Sequence, residues 1–126
     1  MLYMFLLYWN ESDPPVEAQN IIGEHIEFAK DVGAAYISST AIGGASNATT
    51  VKVRNGNAIL TDGPFIESTE AMGGFYLLDC ADLDEALEYA KRMPDVRNSA
   101  VEVRPVMDVP GWDYGLEDHH TRHAMG

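Results

Sequence analysis

The sequence predicts an α+β domain in which an antiparallel sheet carries both of its helices on one face. Three observations lead there. Strand-like and helix-like runs follow one another in the order β-α-β-β-β-β-α-β. Counting the tight Asn55-Gly56 hairpin as an insertion leaves a split β-α-β pattern. The first run, LYMFLLYW, is apolar on both of its alternating faces, so helices on one side still leave the other in need of a cover. A second copy of the chain is the expected cover, which makes the predicted state a homodimer.

The elements justify themselves in order. Leu2 to Trp9 is β-prone and far too short to span a bilayer. Asp13 can cap a helix, Pro14 suits its first position, and Glu17 complements the positive end of the dipole, so helix one is predicted over about Pro14 to Val32, stopping at Gly33. Tyr36 to Ala41 reads as a short strand. The small-residue loop Gly43 to Asn47 has no lysine or strand-to-helix setting that would make it a phosphate cradle. Thr50 to Arg54 and Asn57 to Thr61 form a hairpin about Asn55-Gly56. Asp62 to Gly74 reads as irregular and Phe75 to Cys80 as an apolar strand. Asp82 and Glu85 then make a capping box for helix two, with Leu83, Ala86, Leu87, Ala90 and Met93 on one stripe and Pro94 as its end. Val101 to Val106 closes the domain, assigned to residues 1–109. Residues 110–126 lose all periodicity and read as a C-terminal tail.

Composition narrows the partners. The 126 residues suffice for one ordinary domain and not two. Eight basic against 20 acidic residues give a formal charge of −12, which repels phosphate backbones and anionic lipids, so neither nucleic acid nor membrane is an expected partner. Cys80 is the single cysteine, so it forms no internal disulfide and suits a reducing cytoplasm.

One residue breaks the apolar pattern of helix one. At about 100° per residue, Ala18, Ile21, Ile22, Phe28, Ala29 and Val32 all fall within roughly 60° of His25, while Glu17, Glu24, Glu27, Lys30 and Asp31 fall outside that arc. The imidazole therefore points at the sheet. There it is either a core histidine bonded to a backbone carbonyl or a tuned acid–base group at the floor of a pocket. Its expected carboxylate partner is Asp62, which follows Ile59 and Leu60 and is held by the Gly63-Pro64 turn. Asp-Gly-Pro is also ordinary turn chemistry.

The segment Thr61-Asp62-Gly63-Pro64-Phe65-Ile66-Glu67-Ser68-Thr69-Glu70 resembles the signature of the DGPF-type branch of the YCII-related family, and the likeness continues through Gly73-Gly74-Phe75-Tyr76, Asp82 to Ala86 and Val101 to Pro105. The resemblance implies a ferredoxin-like α+β fold that pairs into a dimeric α/β barrel. It implies bacterial, cytoplasmic occurrence, often beside extracytoplasmic-function sigma factors in the genome. It also implies a His and an Asp facing a cleft, carried by His25 and Asp62 here. Ser68 stands where many relatives carry lysine, which makes this loop more acidic.

Further candidates surround that pair. Glu67, Glu70, Tyr76 and Arg104 are candidate substrate-binding residues, although Arg104 also faces Glu102 as a cross-strand ion pair and Tyr76 also suits a core. The acidic loop lacks calcium-site spacing, and His119, His120 and His123 lack a catalytic zinc motif, so no metal is assigned. Cys80 has no adjacent base and reads as packing. Two functions remain. One is a cofactor-free enzyme doing His25/Asp62 acid–base chemistry on a small molecule in a cleft; the other is a non-catalytic small-ligand-binding or regulatory dimer linked to transcriptional control.

Overall fold

The computed structural model describes residues 1–12, 18–97 and 99–112. The predicted start of helix one at Pro14 and nearly all of the predicted tail, with its three histidines, lie outside them. The element order is β1 (Leu2–Asn10), α1 (Ala18–Val32), β2 (Tyr36–Ala41), β3 (Thr49–Arg54), β4 (Asn57–Asp62), β5 (Glu70–Asp79), α2 (Leu83–Lys91) and β6 (Ala100–Pro105). Gly33, at φ 56°, ends α1 in the left-handed conformation that glycine adopts without strain. Asp82 caps α2 by accepting from the Glu85 amide at 2.9 Å.

Four strands make one antiparallel sheet in the order β2-β5-β1-β6, the split β-α-β arrangement. Tyr3, Phe5 and Leu7 of β1, Tyr76 and Leu78 of β5, Phe28 and Val32 of α1, and Ala86, Ala90 and Met93 around α2 bury one face as the core. Leu83 and Leu87 stay exposed, so the apolar stripe of α2 is narrower than its sequence pattern suggests. On the opposite face Met4 pairs with Leu77 and Leu6 with Phe75, all half-buried.

The expected barrel is not what forms. Among the described residues there are two open sheets, and neither closes. Four strands are too few to close into a barrel by themselves, and the inserted hairpin adds none to their edges. Asn55 and Gly56, at φ 52° and 79°, turn the chain tightly enough for β3 and β4 to pair with each other, and they make a separate two-stranded ribbon that extends neither edge of the main sheet.

The first half of β5 is a second departure, because a stretch read as irregular is strand from Glu70 onward. Glycines mask strand propensity, yet here they are needed. A Cβ on Gly74 would stand 2.5 Å from the Thr40 carbonyl oxygen of β2. A register shift between Leu7 and Tyr8 of β1 falls opposite Gly74 and Met72.

Candidate functional site

The arc of α1 around His25 is only partly covered by the sheet. Phe28 and Val32 are buried, whereas Ile22 remains 65% exposed, so the helix stands off the sheet on the N-terminal side of His25 and leaves a cleft. That cleft measures about 780 Å³ and lies between α1, β2, β5 and the end of β1. Its walls are mainly apolar, with Leu7, Trp9, Ile21 and Ile26 among them.

His25 sits at the polar pole of this cleft. Its Nδ1 is 2.7 Å from the Tyr76 hydroxyl, and its Nε2 is 2.8 Å from Asp95 Oδ1. The His25 and Asp95 side chains are 21% and 16% exposed, so water screens the pair only in part. Asp95 Oδ1 is itself buried and lies out of line with the ring N–H, since it makes no hydrogen bond of proper direction despite the short distance. The carboxylate thus faces Nε2 as a charge partner, and both residues line the cleft.

Local sequence explains how these groups meet. The chain cannot continue α2 through Pro94, and instead turns into a short 3-10 segment, Pro94–Arg97, that carries Asp95 over the sheet toward α1. Buried Met93 anchors the segment below, and Arg97 forms an ion pair with Glu24, the neighbour of His25. Tyr76 rises from β5 and packs edge-on against Phe28, with ring centroids 5.2 Å apart. Burial, followed by the charge of Asp95, pushes the Tyr76 phenol up to about 12. A second polar group lines the β2 wall, where the Tyr36 hydroxyl and Ser39 Oγ are 2.6 Å apart.

The other sequence candidates are dispersed. Asp62 is exposed at the end of β4, pairs with Thr49 across the hairpin and does not line the cleft; the carboxylate set against His25 is Asp95. The expectation failed because the hairpin forms its own sheet instead of extending the one that α1 covers. Glu67 is exposed in the loop after β4, and Glu70 accepts a hydrogen bond from Ser99 at the start of β5. Arg104 lies on the sheet face away from the cleft, beside Met4, where it grips Glu102 at 2.7 and 2.8 Å. Of the candidates, His25 and Tyr76 come together.

Asp95 was missed because Pro94 reads first as a helix stop. Proline is equally suited to the first position of a new turn, and that was the available signal. Cys80 is buried, and its thiol is pushed up to about 12 chiefly by that burial, so it is packing. Among the described residues, no group of three or more His, Cys, Asp or Glu side chains could hold a metal, and no helix is long and apolar enough to cross a membrane.

Three likenesses to known proteins can now be set beside this geometry. The YCII-related domain matches residues 1–110. An uncharacterised protein of Rhizobium meliloti is 34% identical over 117 residues, which span 84% of this chain and 92% of that protein. A solved structure, 5-chloro-2-hydroxyhydroquinone dehydrochlorinase from Burkholderia phenoliruptrix in complex with 2,5-dihydroxybenzoquinone, superposes with a TM-score of 0.50 at 15% identity, covering 90% of this chain and 100% of that one. The last likeness speaks for the fold alone, whereas the match over residues 1–110 establishes that this chain belongs to the YCII-related domain family.

Proposed function

We propose that the protein is an enzyme that moves a proton on a small, uncharged ring compound, with His25 as the acid–base group and Asp95 as its charge partner. The observation that carries this reading is the His25 imidazole, 2.8 Å from a carboxylate at the polar pole of a largely apolar cleft. Asp95 supports the protonated ring and, with a chain charge of −12, disfavours an anionic substrate. Lys30, at the rim, is 3.6 Å from Glu27 and so brings little unopposed positive charge. The aromatic and aliphatic walls suit a flat ring, and the hydroxyls of Tyr36 and Ser39 suit an oxygen substituent on it. The superposed dehydrochlorinase holds a dihydroxybenzoquinone, a flat ring with oxygen substituents, in a related fold, which supports the ring shape of the substrate.

Within the family we place the chain in the DGPF-type branch, on the motif Asp62-Gly63-Pro64-Phe65. We also propose a homodimer, supported by the half-buried apolar face that Met4, Leu6, Phe75 and Leu77 share, and a cytoplasmic setting in a bacterium, supported by the lone buried cysteine.

The test is turnover of a panel of hydroxylated and halogenated aromatic compounds by the wild-type protein and His25→Gln. Loss of about 100-fold or more in kcat, with the unfolding midpoint preserved, is the expected result. Tight binding of one compound with no turnover by the wild-type protein would favour the alternative, a non-catalytic ligand-binding or regulatory dimer.

A further inference from the structure

Trp9, near the end of β1, lines the same cleft as His25. Beside it one residue of β5 has no partner: Leu7 stands opposite Gly74 and Tyr8 opposite Met72, so Gly73 is left over as a bulge. Its carbonyl oxygen accepts from the Ile42 amide at 2.9 Å, which ties the bulge to the chain leaving β2. A Cβ on Gly73 would stand 3.2, 3.4 and 3.9 Å from Nε1, Cδ1 and Cε2 of the Trp9 indole. An atom meeting the nitrogen at the ring edge would lie much farther from both neighbouring carbons, so these similar distances put it over the face of the pyrrole ring. The indole therefore lies flat against the Gly73 backbone. Gly73 is not among the glycines at positive φ, so its backbone conformation does not call for glycine; what glycine supplies is room for the indole.

We propose that Trp9 and Gly73 together select a flat substrate: the indole is the platform on which the substrate ring stacks, and the missing side chain at Gly73 is what lets the indole lie flat. The proposal rests on the ring-compound reading and names the residues that recognise the ring. Gly73 takes one face of the indole, and the other is the surface that Trp9 offers to the cleft. Among the described residues no other ring packs on it, whereas Tyr76 is engaged edge-on with both Phe28 and Tyr36. Phe75 pairs with Leu6, on the opposite face of the sheet. A flat unsaturated ring stacks face to face on the indole with an offset, while a puckered ring bearing the same substituents touches it only through scattered hydrogens. The aliphatic walls, Leu7, Ile21 and Ile26, exclude water from either kind of ring and do not tell them apart.

The test compares hydroquinone with cyclohexane-1,4-diol, which carries the same two hydroxyls on a puckered ring. Each is titrated by NMR into the full wild-type chain, Trp9→Leu and Gly73→Ala, with the Trp9 indole signals assigned by Trp112→Phe, which removes the other tryptophan. In the wild-type protein, cross-relaxation is expected between the hydroquinone ring protons and the Trp9 indole, with hydroquinone bound about tenfold more tightly than the diol. Trp9→Leu keeps an apolar wall and is expected to abolish that preference by weakening hydroquinone alone. Gly73→Ala, whose methyl lifts the indole, is expected to reduce the preference about threefold or more while the unfolding midpoint barely moves. Equal losses for both compounds in Trp9→Leu would make Trp9 a mere apolar wall and overturn the proposal, as would hydroquinone that does not bind or binds away from the indole. Should Trp9→Leu not fold, Gly73→Ala decides, and an unchanged preference there overturns the proposal. Every readout is binding and none is turnover, so failure here is distinct from failure of the acid–base reading, which His25→Gln decides.

Discussion

His25 Nε2 on α1 and Asp95 Oδ1 on the turn after α2 face each other across 2.8 Å. Neither residue lies near the other in the chain. They meet because both helices pack on the same face of the β2-β5-β1-β6 sheet, and because Pro94 redirects the chain from α2 toward α1. The resulting pair is only partly screened by water, and it sets a carboxylate against the imidazole at the edge of the cleft.

The first prediction separates the two candidate aspartates. Asp95→Asn removes the charge beside the ring and is expected to lower kcat about tenfold or more. Asp62→Asn, at the exposed end of the hairpin, is expected to alter kcat by less than about twofold. Steady-state kinetics on one substrate settles the matter, and the reverse ranking would return the partner role to Asp62.

Arg97 and Glu24 tie the Asp95 turn to the helix that carries His25. Both side chains are well exposed, so Arg97→Ala is expected to cost no more than about 1 kcal/mol in urea unfolding. Freed of that clasp, the turn should hold Asp95 less well, and kcat should fall by about threefold or more with the stability almost unchanged. An unchanged kcat would show that Met93 and Pro94 fix the turn without it.

Two adjacent glycines should respond differently to alanine. At Gly74 the new methyl meets the Thr40 backbone at 2.5 Å, and the strands must separate, at about 1–3 kcal/mol. At Gly73 it meets the Trp9 indole nitrogen at 3.2 Å, where a side chain can shift, and the expected cost is below about 1 kcal/mol. Denaturant midpoints compare them directly. Equal costs would mean that the indole is held as firmly as the β2 backbone.

Alkaline stability follows from the buried phenol and thiol. Tyr76 rises from 10.0 to about 12 and Cys80 from 9.0 to about 12 on folding. Below about pH 9 both states keep these protons and the stabilisation is complete. Between about pH 9 and 12 the unfolded chain releases them while the folded chain retains them, so stability falls as pH rises. Thermal midpoints should therefore drop across that interval, less steeply in Tyr76→Phe and in Cys80→Ala. Parallel slopes in all three proteins would assign the alkaline loss to other groups.

The element order, the Gly33 stop, the Asp82 cap, the Asn55-Gly56 turn and the inward aim of His25 were legible in the sequence, because each is decided within a turn or two of chain by backbone preference and apolar spacing. The Glu70 to Gly74 part of β5 was not. Its glycines answer to the nearness of β2, a distant segment, and local propensity runs against them.

Sequence alone determined the order of the strands and helices and which single histidine lies on an apolar face. Only the tertiary structure decided that Asp95 and Tyr76 hold that histidine, that Arg104 stands behind the sheet, and that the hairpin carries Asp62 away. Periodicity reports which side of an element is buried, whereas the identity of its neighbours depends on how the strands are ordered and where a proline turns the chain, and neither is encoded within a local window.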